Sequence, residues 1–267
     1  MSTISSLASI HPNAKLGNNV TVEPFAVVHE NAIVGDGSHI MSHAVIMPYS
    51  RIGVNCKIFP GAVIGAIPQD LKFVGEETTA EIGDNTTIRE YVTINRGTKD
   101  KWKTVVGKNC LIMAYAHIAH DCIVGDNVIF ANNVTLAGHV EVGNYASLGG
   151  FTAANQFTRI GAHTYIGGQS AIRKDVPPFA KAAREPLAYM GVNIVGLQRR
   201  NFTSEQINTI SQIYHLLFIE KHSTTKALKL IEDTIPDGEI KKDILAFIQQ
   251  SKAGIIRRYL KEGVDAD

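Results

Sequence analysis

The strongest constraint on this chain is a period of six. Stepping by six from Ile4 meets Ile10, Leu16, Val22, Val28, Val34, Ile40, Ile46, Ile52, Ile58 and Ile64 without slippage. The same phase resumes at Ile82, Ile88 and Ile94. It runs again from Val106 through Ile112, Ile118, Val124, Phe130, Leu136, Val142, Leu148, Ala154, Ile160, Ile166 and Ile172. A 3.6-residue helix cannot hold a six-residue phase, whereas the two-residue period of a strand divides it, so the pattern predicts short strands separated by corners. Gly, Asn and Asp supply the backbone freedom those corners need, as in Gly35-Asp36-Gly37, Gly83-Asp84-Asn85 and Gly125-Asp126-Asn127. Three hexads close one triangular coil with the aliphatic residues stacked inward, which is the hexapeptide repeat of a parallel β-helix. Residues 18 apart in an uninterrupted stretch are then neighbours in adjacent coils, at the ~4.8 Å strand spacing.

Two stretches interrupt the repeat without shifting its phase, residues 66–81 and 96–105, and both are expected to leave the solenoid as loops. Loops on a rigid scaffold are common sites of binding chemistry, though variable surface loops would read the same way. After Val176-Pro177-Pro178 the periodicity becomes helical. Thr203 and Gln206 form a capping box ahead of Ile207, Ile210, Ile213, Tyr214, Leu217 and Phe218. Further helices are expected over Thr225–Glu232 and Ile240–Ile248. The chain therefore divides into a β-helix over residues 1–190 and an α-helical domain over 191–267 that covers one end of it.

Composition narrows the function. With 26 Lys+Arg against 25 Asp+Glu in 267 residues, the net charge of +1 excludes a globally basic nucleic-acid binder. No apolar run approaches the ~20 residues of a membrane span, and the N-terminal MSTISSLASI lacks an export signal, so a cytoplasmic protein is expected. Cys56, Cys110 and Cys122 form no CxxC pair and are expected to be reduced thiols.

The densest polar cluster is Ala116-His117-Ile118-Ala119-His120-Asp121. The 18-residue spacing stacks His120 with Gly138 and then Gln156, and Asp121 with His139. An imidazole beside a carboxylate is a general-base arrangement, in which the anion fixes the tautomer and favours the imidazolium. Adjacent side chains on a strand point apart, so a His120–Asp121 pair requires a corner at this point. Gly138, free of a side chain, suits an oxyanion-hole N–H. The stripe holds no Ser or Cys nucleophile, which favours direct transfer. The other histidines, His11, His29, His39, His43, His163, His215 and His222, are read as structural.

These blocks, together with Gly65-Ala66-Ile67-Pro68-Gln69-Asp70-Leu71-Lys72, Leu136-Ala137-Gly138-His139-Val140, Gln156-Phe157 and the run from Gly191 to Arg200, resemble the UDP-N-acetylglucosamine O-acyltransferases over almost the whole chain. The resemblance implies a left-handed β-helix; this hand comes from the family, since crossover connections are normally right-handed. It also implies a homotrimer with sites between subunits, acting in the first step of lipid A synthesis. The reaction implied is transfer of an R-3-hydroxyacyl chain from the phosphopantetheine thioester of acyl carrier protein to the 3-hydroxyl of UDP-GlcNAc, without metal or diffusible cofactor.

Carried over by position, His120 is the base, Asp121 orients it and Gly138 holds the oxyanion. His117, His139 and Gln156 border the substrates, Lys72 meets substrate from the first loop, and Asn193 with Arg199 lies at the nucleotide-phosphate end. Gly168 corresponds to the floor of the acyl pocket, where a missing side chain leaves room for about 14 carbons or more. One departure is Asn155, where many members have His; it cannot titrate and takes no proton-transfer role. Arg199-Arg200 and Arg257-Arg258 offer a surface for the acidic carrier protein, with a solvated helix face as the other reading of Arg257-Arg258. Asn193 and Arg199 also read as helix-cap residues.

Other readings remain. The related UDP-3-O-acylglucosamine N-acyltransferase shares the solenoid, but places a uridine-binding domain ahead of its repeats, whereas these begin at Ile4. Coenzyme A-dependent acetyltransferases of small molecules have shorter helices and other loop signatures. A γ-class zinc carbonic anhydrase-like enzyme would draw its metal ligands from His117, His120 and His139, but that family spaces its histidines differently. A non-catalytic scaffold leaves the polar stripe unexplained.

Overall fold

The computed structural model describes residues 2–220 and 222–258. Strands of mostly two residues follow one another every six positions and sort into three parallel sheets, the faces of a triangular prism. The first face takes the strands ending at Ile4, Val22 and Ile40, the second those ending at Ile10, Val28 and Ile46, and the third those ending at Leu16, Val34 and Ile52. Each successive strand joins the next face, and every third pairs in register with its predecessor, as in Ile118 with Leu136.

The interruptions leave the ladders intact. Ile58 pairs with Ile88 and Ile64 with Ile94 across the first loop, and Ile94 pairs with Ile118 across the second. The loops themselves are shorter than the interruptions of the repeat, because strands Thr79–Ile82 and Lys103–Val106 claim their last residues.

The aliphatic residue of each hexad points inward. Ile40, Ile58, Ile88, Ile112, Ile118, Leu136 and Ile166 are all fully buried, each stabilising the fold by about 1.5–3 kcal/mol. The small fifth position is buried beside it, at Ala44, Cys56, Ala116 and Cys122 among others. The first coil departs from this pattern: Ile4 is 48% exposed, because no coil lies beneath it. The fourth hexad position turns most corners with positive φ, as at Asn55 (54°), Tyr115 (64°), Asp121 (60°) and His139 (63°).

The solenoid ends in a form the periodicity did not reveal. Residues 181–190 lie in an antiparallel hairpin of Ala180–Ala183 with Ala188–Val192, which extends the first face. The strand runs two residues past the expected boundary at 190/191. Arg257–Arg258 is a strand paired with Ala188 and Tyr189, not part of a helix, so the chain returns to the β-helix after its helical excursion. The helices are α1 Ile194–Gln198, α2 Ser204–Tyr214, α3 Thr224–Thr234 and α4 Glu239–Gln249, with a π-helical turn His215–Ile219 continuing α2. The Thr203–Gln206 capping box is formed as expected. Tyr214, Phe218 and Tyr189 pack their rings together where the helices cover the hairpin. The last part of the expected helical domain, residues 259–267, lies outside the described residues.

Candidate active site

The corner between the second and third faces carries the histidine stripe. Positive φ at Asp121 folds its side chain back onto its neighbour, so two sequential residues that would diverge on a strand meet instead: His120 Nδ1 lies 2.8 Å from Asp121 Oδ2. Both are buried, Asp121 completely. Burial alone would raise the Asp121 carboxyl. Hydrogen bonds from the Thr98 hydroxyl, His120 and the backbone N–H groups of Thr98 and Lys101 outweigh it and hold the group below the ordinary aspartate range. A fixed carboxylate behind Nδ1 leaves Nε2 as the working nitrogen of His120.

Gly138 lies one coil on. A Cβ built there would fall 2.7 Å from Cε1 and 2.8 Å from Nε2 of His120, so the imidazole occupies the space a side chain would need. The His139 N–H donates to the His120 carbonyl at 3.0 Å and locks the two coils together. His139 stands edge-on to His120, with ring centroids 5.1 Å apart, and stacks on Phe157 at 4.5 Å. Its Nε2 is 3.7 Å from Asp121 Oδ2, and Asp100 approaches its other nitrogen at 3.2 Å.

His117 sits differently. Its side chain projects from the second face, with Nδ1 2.7 Å from the Thr93 hydroxyl, and burial lowers its pKa. The donor atoms that converge as a possible metal set are those of His120, Asp121 and His139, not the His117–His120–His139 trio expected for a zinc enzyme. Asp121 already accepts four hydrogen bonds, from Thr98 N, Thr98 Oγ1, Lys101 N and His120. Its lone pairs are committed, and a metal ion would have to displace them.

One chain gathers His120, Asp121, Gly138 and His139 at this corner, with exposed Gln156 one coil further on and His117 on the adjoining second face. The remaining candidates lie elsewhere. Lys72 is exposed on the first loop, and its backbone N–H donates to Asp70. Gly168 is at the corner between the first and second faces, where an added Cβ would stand 3.0 Å from the Gly150 carbonyl. Asn193 caps α1: its Oδ1 accepts from Gly196 N, and its Nδ2 donates to the His163 carbonyl. Arg199 is exposed, whereas Arg200 turns inward over the Tyr145 ring and donates to the Tyr145 carbonyl. Thr98 and Lys101, which hold Asp121 from the second loop, belong to no motif that marks them in the sequence.

A parallel β-helix of hexads with a carboxylate-backed histidine facing a glycine across coils defines a hexapeptide-repeat transferase. Residues 103–138 match the family model described as bacterial transferase hexapeptide, six repeats. Residues 175–256 match domain 2 of UDP N-acetylglucosamine O-acyltransferase.

The acyl-[acyl-carrier-protein]–UDP-N-acetylglucosamine O-acyltransferase of Chlorobaculum parvum is 54% identical over 262 residues, 98% of either chain. That of Sulfurihydrogenibium is 53% identical over 93% of this chain and 94% of its own. The crystal structure of a UDP-N-acetylglucosamine acyltransferase from Bacteroides fragilis superposes with a TM-score of 0.93 at 47% identity, covering 95% of this chain and 99% of that one. This chain belongs to the acyl-[acyl-carrier-protein]–UDP-N-acetylglucosamine O-acyltransferase family.

Proposed function

We propose that this protein transfers an R-3-hydroxyacyl chain from acyl carrier protein to the 3-hydroxyl of UDP-GlcNAc, the first step of lipid A synthesis. The observation that carries the reading is the opposition of His120 and Gly138 across one coil, with Asp121 behind the imidazole. The His120 Nε2 takes the sugar hydroxyl proton as the oxygen attacks the thioester carbonyl. The Gly138 N–H receives the developing oxyanion; among the described residues no backbone acceptor engages that N–H. Collapse of the tetrahedral intermediate expels the phosphopantetheine thiolate, which takes the proton back from the imidazolium. A positioned base contributes ~10²–10⁴-fold and an oxyanion donor ~10²–10³-fold. No covalent enzyme intermediate, metal or diffusible cofactor enters this scheme.

The outward positions of the second face support a homotrimer. They read Ser9, Val27, Val45, Val63, Thr93, His117, Thr135, Ala153 and Ala171, with no Lys, Arg, Asp or Glu along nine strands. The third face presents Lys15, Arg51, Glu81, Glu141 and Arg159 instead. The corner joining the first and second faces exposes Leu7, Phe25, Tyr91, Tyr115 and Phe151. Closing uncharged second faces about a threefold axis covers this surface and sets the Gly168 corner of one subunit against the His120 corner of the next. Lys72, Asn193 and Arg199 are read as contacts to the sugar nucleotide, with Gly168 leaving the acyl channel open for about 14 carbons or more.

Arg199, Arg257 and Arg258 are exposed and carry the positive charge available to the acidic carrier protein. A cytoplasmic location fits three buried free cysteines, and among the described residues no helix is long and apolar enough to cross a membrane. Assay of the purified protein and of His120→Ala with UDP-GlcNAc and a ladder of hydroxyacyl carrier proteins tests the reading. The expected result is transfer by the natural protein and a loss of at least ~10²-fold in the variant, with its oligomeric state unchanged. Near-normal turnover by His120→Ala would overturn it.

A further inference from the structure

Resting on that reading, we infer that the second loop is a strap that sets the catalytic base, with Thr98 as a positioning residue for Asp121. The loop leaves the second face after Asn95 and rejoins the solenoid at Lys103, passing over the corner that carries His120. Thr98 donates twice to the Asp121 carboxylate, through its N–H to Oδ1 at 2.9 Å and its hydroxyl to Oδ2 at 2.6 Å. Lys101 N–H adds a third bond, to Oδ1 at 3.2 Å. Further along, Thr104 accepts the Asp121 N–H at 2.8 Å, so the strap and the strand it enters hold both the backbone and the carboxylate of this residue.

The strap is itself anchored at both ends. The Thr78 hydroxyl donates to the Gly97 carbonyl, and Gly97 N–H donates to the Thr79 carbonyl, which ties it to the close of the first loop. Lys101 Nζ pairs with Glu141 at 2.9 Å, on the third face, where Glu141 also meets Arg159. Thr98 is only 8% exposed and Asp121 is fully buried, so these bonds act in a site largely shielded from water.

The Thr98 hydroxyl and His120 Nδ1 share one acceptor, Asp121 Oδ2. Two donors on one oxygen fix the carboxylate rotation, and the carboxylate in turn fixes the ring whose other nitrogen faces Gly138. Thr98 thus acts on the reaction through Asp121 without touching substrate. Removing the hydroxyl lets the carboxylate turn and leaves the imidazole less well aimed. Because the Thr98 and Lys101 N–H bonds remain, the fold is retained.

The test compares Thr98→Val, Thr98→Ala and Thr98→Ser in the full-length protein, with UDP-GlcNAc and the preferred hydroxyacyl carrier protein as substrates. The expected result is a kcat lower by roughly tenfold or more for Val and Ala, with both KM values unchanged and the thermal midpoint lowered by only a few degrees, and recovery of most of the activity by Ser. In an Asp121→Asn background the Thr98 substitutions are expected to add almost nothing, since both changes disable one device.

Near-natural turnover in Thr98→Ala, Ser as impaired as Ala, or full multiplication of the effects in the Asp121→Asn background would each overturn the strap. If Val does not fit the site, the Ala and Ser pair decides alone. A strap that fails this test while His120→Ala remains inactive leaves the acyl-transfer reading standing; activity in His120→Ala removes both.

Discussion

Two corners of the same prism share a backbone and differ in what they leave free. On the corner between the third and first faces, the fourth hexad positions form a ladder: Asn19, Gly37, Asn55, Asn85, Asn109 and Asn127, all with left-handed φ. Side chains at third positions also cap four of the third-position N–H groups from the next coil. Asp36 accepts from Asn18 N at 2.8 Å, Asp84 from Val54 N at 3.0 Å, Asp126 from Lys108 N at 2.7 Å and Asn144 from Asp126 N at 2.8 Å.

On the catalytic corner the coil-to-coil bond is the same, with His139 N–H donating to the His120 carbonyl just as Asn127 N–H donates to that of Lys108. The short carboxylate or amide that would cap the third-position N–H is missing, however. Histidine, glycine and glutamine stand there instead, at His120, Gly138 and Gln156. The chemistry arises by withdrawing a capping ladder from one edge of a regular object, which leaves an amide N–H for a substrate oxygen while the other corner remains inert.

That contrast can be broken experimentally. Gly138→Ala should have the largest effect: its Cβ would lie 2.7 Å from the His120 ring and force the imidazole away. We expect a ~10²–10³-fold loss of kcat, measured by steady-state transfer, with the protein still folded; turnover within a few-fold of natural would show that the base and the amide do not act as a pair.

An intermediate effect concerns stability at the far end of the inert corner, where Tyr145 and His163 replace the Asn ladder. Burial, reinforced by the Arg200 charge, lowers the His163 pKa to about 4. The unfolded chain therefore binds a proton that the folded chain refuses between the ordinary histidine value of about 6.5 and about 4. Folding stability should fall as pH drops through that window. Denaturant unfolding across it should show the slope, and His163→Gln should flatten it; an unchanged slope would contradict the assignment.

The smallest effect belongs to the ladder itself. Asp126→Ala frees the Lys108 N–H and should cost roughly 1 kcal/mol of stability while leaving kcat untouched. A large loss of activity in that variant would mean the two corners are not independent.

Most of the solenoid, and the core of the site, could be read from the sequence because the repeat is a coordinate system. Once six-residue phasing is recognised, adding 18 places Gly138 beside His120 and His139 beside Asp121, and the structure keeps those neighbours. The corner needed to bring His120 and Asp121 together appears as the positive φ at Asp121.

What could not be read has no period. Thr98 reaches Asp121 from a loop whose path depends on anchors such as Thr78 and Lys101, and a lone threonine carries no sign of its partner. The 180–192 hairpin and the returning Arg257–Arg258 strand are set by tertiary pairing over long separations, which local patterning does not encode. Asn193 shows a further limit: capping and ligand binding call for the same side chain, and within one subunit it is occupied as a cap.

The bond from His139 N–H to the His120 carbonyl also acts as a ruler. It makes the axial step between the proton acceptor and the Gly138 peptide one coil rise, a length fixed by backbone geometry at ~4.8 Å and indifferent to most side-chain choices. Sequence drift along the solenoid can therefore retune which molecules are accepted while leaving this gauge unchanged. Altering it would require adding or deleting a whole coil, never a part of one.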